Sequence, residues 1–340
     1  MSPRRLKAGI VGCGGIAGRY DETAHDKGIY SHAGAYRARV SEIAIAACVE
    51  PDPVRRREFQ KYWEVPHGYG TLSEMLGKHT FDILSVCSPD VHHAEQVMEI
   101  LQSRKVRMIW AEKPLTTDLE SARRIVDQAK AMGTGIRLTN QRRWEPVHCA
   151  LAKELRDGLI GKLTAVAGYY VKGLTHIGTT MINTLRFLVG DIVQVEAVGS
   201  TKGSYPGDPS RDAVVWFEGD VAGMIHGVDG VSYSYSLFEI DVVGTKGRVR
   251  ILDNGDVIEV WHPAPYGHYG GFAELQLKER RQSSLANAMV YGLDSMMEAF
   301  RCGMASDVSE AEEGLRDLRV VCAILESAQR GGVIVSAYAA

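Results

Sequence analysis

Over the first 140 positions, apolar residues come in short runs with few polar interruptions, closed by Gly12, Glu50, Ser88, Glu112 and Asn140. Leu6 to Val11, Ile43 to Val49, Phe81 to Cys87, Val106 to Ala111 and Gly135 to Thr139 are such runs. Uninterrupted apolar strands are those a sheet buries on both faces. Between them the spacing turns helical, as in Ala94 to Ser103 and in Leu119 to Met132, where Leu119, Ala122, Ile125, Val126 and Ala129 share one face. Strands alternating with helices predict a doubly wound parallel sheet occupying residues 1–140.

The second part, residues 141–340, is patterned differently. A helix is expected over Val147 to Asp157, a turn over Gly158 to Gly161, a strand over Leu163 to Val171 and a helix over Ile177 to Val189. Strands follow at Val193 to Ser200, Ala213 to Phe217, Val221 to Gly227, Tyr235 to Val243, Gly247 to Leu252 and Val257 to His262. Short turns without intervening helices imply a largely antiparallel sheet in an α+β domain, with one face free for a site or an oligomer contact. Two amphipathic helices close the chain, Leu285 to Arg301 and Ser309 to Arg330, the second with Ser309 and Glu312 as a capping box.

Composition narrows the class. With 340 residues, 45% of them hydrophobic, the chain can fill two cores. A net charge of -3 and a pI of 6.4 give no footprint for nucleic acid or an anionic membrane. No apolar run is long enough to span a bilayer, and the basic start PRRLK leads into a strand without a signal-peptide core, so a cytoplasmic location is expected. Cys13, Cys48, Cys87, Cys149, Cys302 and Cys322 are scattered without CxxC or zinc spacing, and read as small buried hydrophobes with no metal role.

Two stretches carry candidate chemistry. The first strand ends in GCGGIA, a GxGxxA pattern opening a helix. Gly12 permits a tight turn, Gly14 lets backbone approach a pyrophosphate, Gly15 and Ile16 begin the helix whose amino end attracts phosphate, and Ala17 packs helix on strand. Glu50, closing the second strand, suits the ribose hydroxyls of NAD and would repel the 2'-phosphate of NADP. It lies 33 residues after Ala17, where about 20 is usual. The polar stretch Tyr20 to Tyr30 accounts for the excess as a loop, either a candidate lid or a passive surface loop. Arg55, Arg56 and Arg57 offer the opposing reading of a 2'-phosphate site. The second stretch, VRMIWAEKPL, delivers Lys113 to the carboxyl end of a buried strand, where open parallel sheets bind ligands. Pro114 restricts the residue before it to extended backbone.

These motifs, with CSPDVHH at 87–93, RRWEP at 142–146, LRDGLIGKL at 155–163 and the closing EAEEGLRDLRVVCAILESAQRGG, resemble the Gfo/Idh/MocA oxidoreductase family. The resemblance implies a Rossmann domain for NAD, with NADP less favoured, a mixed-sheet substrate domain, and hydride transfer at a secondary alcohol of a sugar, cyclitol or sugar nucleotide. It makes Lys113 the active-site lysine, sets Ser88, Pro89 and His92 around the nicotinamide and puts Glu112 next to the cofactor. A homodimer or homotetramer is expected by analogy. HAGAY at 32–36 adds a weaker resemblance to a branch linked with polysaccharide biosynthesis.

The departure lies on the helix entering the site. Where such proteins usually carry D-x-G-x-H-x-x-D, this chain has His176, Gly178, Thr180 and Asn183, so Thr180 replaces the acid/base histidine. Positions 176, 180 and 183 lie a helical turn apart and are expected to share a face. His176 and Lys113 are then the candidate proton carriers, with Tyr170 as a possible partner. Arg143, Trp144, Thr180 and Asn183 are the expected substrate contacts beside Lys113. Two rival readings are an NAD-binding sensor without catalysis and a glycosidase that uses NAD transiently.

Overall fold

The computed structural model describes residues 4–199, 207–219, 221–228, 235–268, 270–304 and 310–338. By internal contacts the chain forms two units, residues 1–141 with Ala286–Leu315, and Arg142–Leu285 with Arg316–Ala340.

The first unit holds a six-stranded parallel sheet of β1 (Leu6–Val11), β2 (Ile43–Val49), β3 (His67–Tyr69), β4 (Phe81–Val86), β5 (Val106–Ala111) and β6 (Gly135–Leu138), ordered β3-β2-β1-β4-β5-β6. Its connecting helices are α1 (His32–Ala38), α2 (Pro53–Trp63), α3 (Leu72–Lys78), α4 (His93–Ser103) and α5 (Leu119–Met132). Every residue of β4 is buried, including Asp82, which accepts the Lys7 amide, and Ser85, which bonds His32. Helix starts are fixed locally: Asp52 caps α2 at the Val54 amide, with Pro53 in the first turn, and Asp118 caps α5 at Ser121. Gly133 ends α5 in the left-handed region.

The expected Tyr20–Tyr30 loop is corrected in part. Gly15–Arg19 forms a π-turn that runs directly into a helical turn, Tyr20–Glu22. Asp21 then accepts bonds from the Tyr30 amide (2.7 Å) and the Ser31 hydroxyl (2.6 Å), which ties the far end of the stretch back to its start.

The second unit contains α6 (Pro146–Arg156), β7 (Leu163–Tyr170), α7 (Thr179–Leu188), β8 (Ile192–Val198), β9 (Asp212–Phe217), β10 (Ala222–Gly227), β11 (Phe238–Gly244), β12 (Gly247–Leu252), β13 (Val257–Pro265) and β14 (Ala273–Gln282). The final strand is β15 (Val335–Ser336), and the sheet order is β14-β13-β12-β11-β7-β10-β9-β8-β15. All pairings are antiparallel except β10 with β7. Burial alternates along β9, β11 and β12, so one face holds the core. Strand β14 escapes the apolar pattern because its sequence, AELQLKERRQ, is that of an exposed, charged edge.

Helix α8 (Ala288–Arg301) and the start of α9 (Ala311–Gln329) belong to the first unit, which differs from a single division after residue 140. Two polar anchors explain this. Arg39 grips Asp294 with two bonds of 2.7 Å, and Arg137 pairs with Glu310 at 2.5 Å while the Leu138 amide takes the other Glu310 oxygen. The expected capping residue Ser309 lies outside the described residues.

Candidate functional site

In the first unit the carboxyl ends of neighbouring strands β1, β4 and β5 bring the predicted motifs together. Gly12 has φ +83°, and a Cβ there would meet the Ser88 nitrogen at 2.9 Å, so the turn after β1 and the loop after β4 touch through a residue that must be glycine. A Cβ on Gly14 would meet nothing within 4 Å. That open backbone beside a helix start is the cradle a pyrophosphate needs. Gly15, Ile16 and Ala17 form the following π-turn, with Ala17 buried.

Glu50 closes β2 against this turn. Its carboxylate accepts the Cys13 amide (3.0 Å) and the Asp52 amide (3.1 Å). Arg55 is not left for a phosphate: it grips Glu22 with two bonds of 2.9 Å and donates to the Cys13 carbonyl. Burial works to raise the Glu22 carboxyl, but Arg55 and the Trp63 indole hold it below the ordinary range. Arg56 donates to the Glu50 carbonyl. The arginines therefore brace the turn, and Glu22 is the residue sequence reasoning missed there.

The Ser88 loop is held by His93. The His93 ring sits between two carbonyls, Nδ1 2.7 Å from that of Pro114 and Nε2 2.9 Å from that of Ser88, which places it between the segments after β4 and β5. Ser88 itself donates to Gln96 at 2.5 Å. Pro89 leads into a short turn, Asp90–His92. Lys113 lies two residues beyond β5, half-buried, with a cis peptide to Pro114.

The Glu112 carboxylate is held from within the first unit. It is buried and bonds His32 Nε2 at 2.9 Å. His32 Nδ1 meets the Ser85 hydroxyl at 2.9 Å, and Ser85 meets Tyr36 at 2.8 Å. If Tyr36 donates to Ser85 and Ser85 to Nδ1, the remaining ring proton sits on Nε2 and points at Glu112. Burial alone would raise the Glu112 carboxyl; the bond from His32 and the charge of Lys113 lower it. A negative charge is thus fixed one residue before the candidate lysine.

In the second unit the predicted residues separate. Tyr170 is fully buried, its hydroxyl donating to the Arg211 carbonyl (3.0 Å) and accepting the Arg211 amide (2.9 Å). Burial pushes its ionisation far up, so it is corrected from substrate contact or proton partner to a structural residue. Asn183 is corrected likewise: it donates to Asp317 (2.7 Å) and accepts from Arg143 (2.9 Å), which occupies both ends of the amide. Arg186 completes the cluster on Asp317, whose carboxyl burial pushes up to about 6 against the pull of Arg186 and Asn183. Trp144 is only 8% exposed and offers little ring face for a sugar.

His176 lies in a π-turn, Gly173–Gly178, that precedes α7. Its amide and that of Thr175 both donate to Asp208 at 2.9 Å, and Gly173 is required because a Cβ there would strike the Asp208 carboxylate. The shared face expected for 176, 180 and 183 breaks at Asn183, which turns into the buried cluster. Thr180 instead lines a cavity of about 130 Å³ with Arg142, Lys172 and Phe238. Asp208 carries no sequence signal; it acts through contacts that only the fold creates.

A glycine cradle after the first strand, an acid at the end of the second and a lysine at the end of the fifth define a dinucleotide-dependent oxidoreductase. Residues 6–138 match the oxidoreductase family with an NAD-binding Rossmann fold. The chain is 24% identical over 232 residues to trans-1,2-dihydrobenzene-1,2-diol dehydrogenase of Bos taurus, covering 63% of this chain and 67% of that one. Against the Macaca fascicularis enzyme the match spans 40% of either chain. Inositol 2-dehydrogenase of Acidothermus cellulolyticus is 27% identical over 275 residues, 75% of each chain. The fold matches levoglucosan dehydrogenase in complex with NADH and levoglucosan, with a TM-score of 0.80 at 17% identity over 98% of this chain and 100% of that one. Residues 6–138 are thus a Rossmann domain of the Gfo/Idh/MocA oxidoreductase type.

Proposed function

We propose that the chain is an NAD-dependent dehydrogenase or ketoreductase acting on a secondary alcohol or ketone of a sugar, cyclitol or sugar nucleotide. What supports this reading is Lys113, in the segment leaving β5 next to the ionised Glu112, on the same carboxyl edge of the sheet as the Gly12–Ala17 cradle after β1. Bound nicotinamide would supply the hydride acceptor or donor. Gly12, Gly14, Gly15, Ile16 and Ala17 would hold the pyrophosphate, Glu50 the ribose, and Ser88, Pro89 and His92 the nicotinamide side. Lys113 would bond the reacting oxygen and carry its proton, with His176 as a second proton carrier. Thr180, lacking an ionisable group, would act only by hydrogen bonding, and Arg143 would reach substrate from its bond to Asn183.

Among the described residues no helix is long and apolar enough to cross a membrane. A cytoplasmic homodimer or homotetramer, joined through the open sheet face, completes the proposal. The test follows NADH absorbance with a panel of polyols and keto-sugars. Lys113→Ala should cut turnover about 10²- to 10⁴-fold while NAD binding persists. Unimpaired turnover in that variant would overturn the catalytic assignment. Cofactor binding without turnover of any substrate would favour a sensor.

A further inference from the structure

The cavity beside Thr180 contains a charge that the protein does not balance. Its wall includes Arg142, Lys172, Thr180, Ser236, Phe238 and Asn254. The Arg142 guanidinium lies 3.8 Å from the Phe238 ring centre and donates to the Asn254 carbonyl. Its Nε is buried and has no acceptor. Among the described residues no carboxylate pairs with Arg142 within 4.0 Å. The acid whose charge it feels, Asp256, instead takes the Ser283 hydroxyl at 3.0 Å. Burial brings the guanidinium down to about 10, which leaves it cationic at neutral pH.

Buried charges in folded proteins are normally paired, because an uncompensated one is costly. Arg142 is therefore either a defect or half of a pair whose other half arrives with a ligand. The second wall residue argues for the ligand. Lys172 has φ +67° and ψ +46°, a left-handed conformation that glycine ordinarily takes. Side chains kept in that region cluster at functional sites, and this one adds a second cation to the same cavity. Thr180 and Ser236 supply hydroxyl donors, and the planar fork of an arginine suits carboxylate or phosphate oxygens.

We infer that this cavity is a subsite for an anionic substituent of the substrate, a carboxylate or a phosphate ester carried on the sugar or cyclitol skeleton. The inference rests on the dehydrogenase reading but is tested first by binding alone. The intact wild-type chain is titrated with sodium phosphate and, separately, sodium acetate against sodium chloride at matched ionic strength, with the melting temperature as readout. Phosphate or acetate should stabilise the chain where chloride does not, and the more effective anion identifies the substituent. Arg142→Met, which keeps an apolar stem on Phe238, should abolish that stabilisation, and Arg142→Lys should restore part of it.

The second arm compares turnover of a hexuronate, a hexose phosphate and the neutral hexose. One anionic member should exceed the neutral sugar by roughly 30- to 1,000-fold in kcat/KM, chiefly through KM, and Arg142→Met should bring that ratio near one. Anion-specific stabilisation with no turnover of any sugar would sink the dehydrogenase reading and leave the subsite standing. Efficient turnover of neutral sugars with no anion-specific stabilisation of the wild type would overturn the subsite and leave the dehydrogenase. The wild-type titration decides the question even if the methionine variant fails to fold.

Discussion

His32 and Glu112, 80 residues apart in the chain, meet at 2.9 Å with both side chains buried, and the histidine ring packs 4.0 Å from the centre of Trp110. This bond anchors α1 to the end of β5 one residue before Lys113. His32→Leu strands an acid in the interior and should cost about 3–5 kcal/mol, measured by urea unfolding. Replacing both residues by leucine should cost less than the sum of the single changes. Additive costs would show that the two side chains are not coupled.

The two glycines of the phosphate turn should fail in different ways. Gly12→Ala puts a methyl group against the Ser88 and Cys87 backbone at a positive φ, so it should lower stability by more than 1 kcal/mol. Gly14→Ala points its methyl into open space and should melt like the wild type, yet lose NADH binding measured by fluorescence titration. Retained NADH affinity in Gly14→Ala would place the pyrophosphate elsewhere.

Glu145 controls acid stability in the second unit. Its carboxylate takes the His148 amide and ring at 2.8 Å and the Ser284 amide and hydroxyl at 3.0 Å. Burial works to raise it, but these bonds bring it down to about 2. A depressed acid stabilises the fold at pH values above its unfolded pKa of ~4.3, by about 3 kcal/mol. That stability is lost as pH falls from there through about 2. Glu145→Gln should melt earlier at neutral pH and show a flatter decline between pH ~5 and ~2. Parallel melting curves for the two proteins across that window would refute this role.

Cofactor choice should turn on Glu50 and Glu22 together. Glu50→Ala removes the charge facing a 2'-phosphate and should raise the NADP/NAD ratio of kcat/KM by about tenfold. Adding Glu22→Gln releases Arg55 from its two bonds and should raise the ratio further. A ratio unchanged in the double variant would mean that this acid pair does not read the ribose.

What the sequence revealed, and what it hid, follows the range of the interactions. Strands such as Ile43–Val49 are readable because a covered strand writes an unbroken apolar run, and Gly12 because a tight turn needs its φ. Asn183 and Tyr170 looked available because their partners are distant: Asp317 lies 134 residues beyond the first and Arg211 41 beyond the second. His32 gives no local signal for the same reason, its partner Glu112 lying 80 residues on. The edge strand Ala273–Gln282 alternates only over Ala273, Leu275 and Leu277 before its charged run, and it is largely exposed.

The assignment of Ala286–Leu315 to the first unit has a consequence for synthesis. As the chain leaves the ribosome, β1 to β6 emerge early, but Asp294 and Glu310, the partners of Arg39 and Arg137, follow only after all of β7 to β14. The nucleotide-binding half therefore starts first and finishes late, and a nascent chain halted before residue 286 carries a dinucleotide fold without its closing helix.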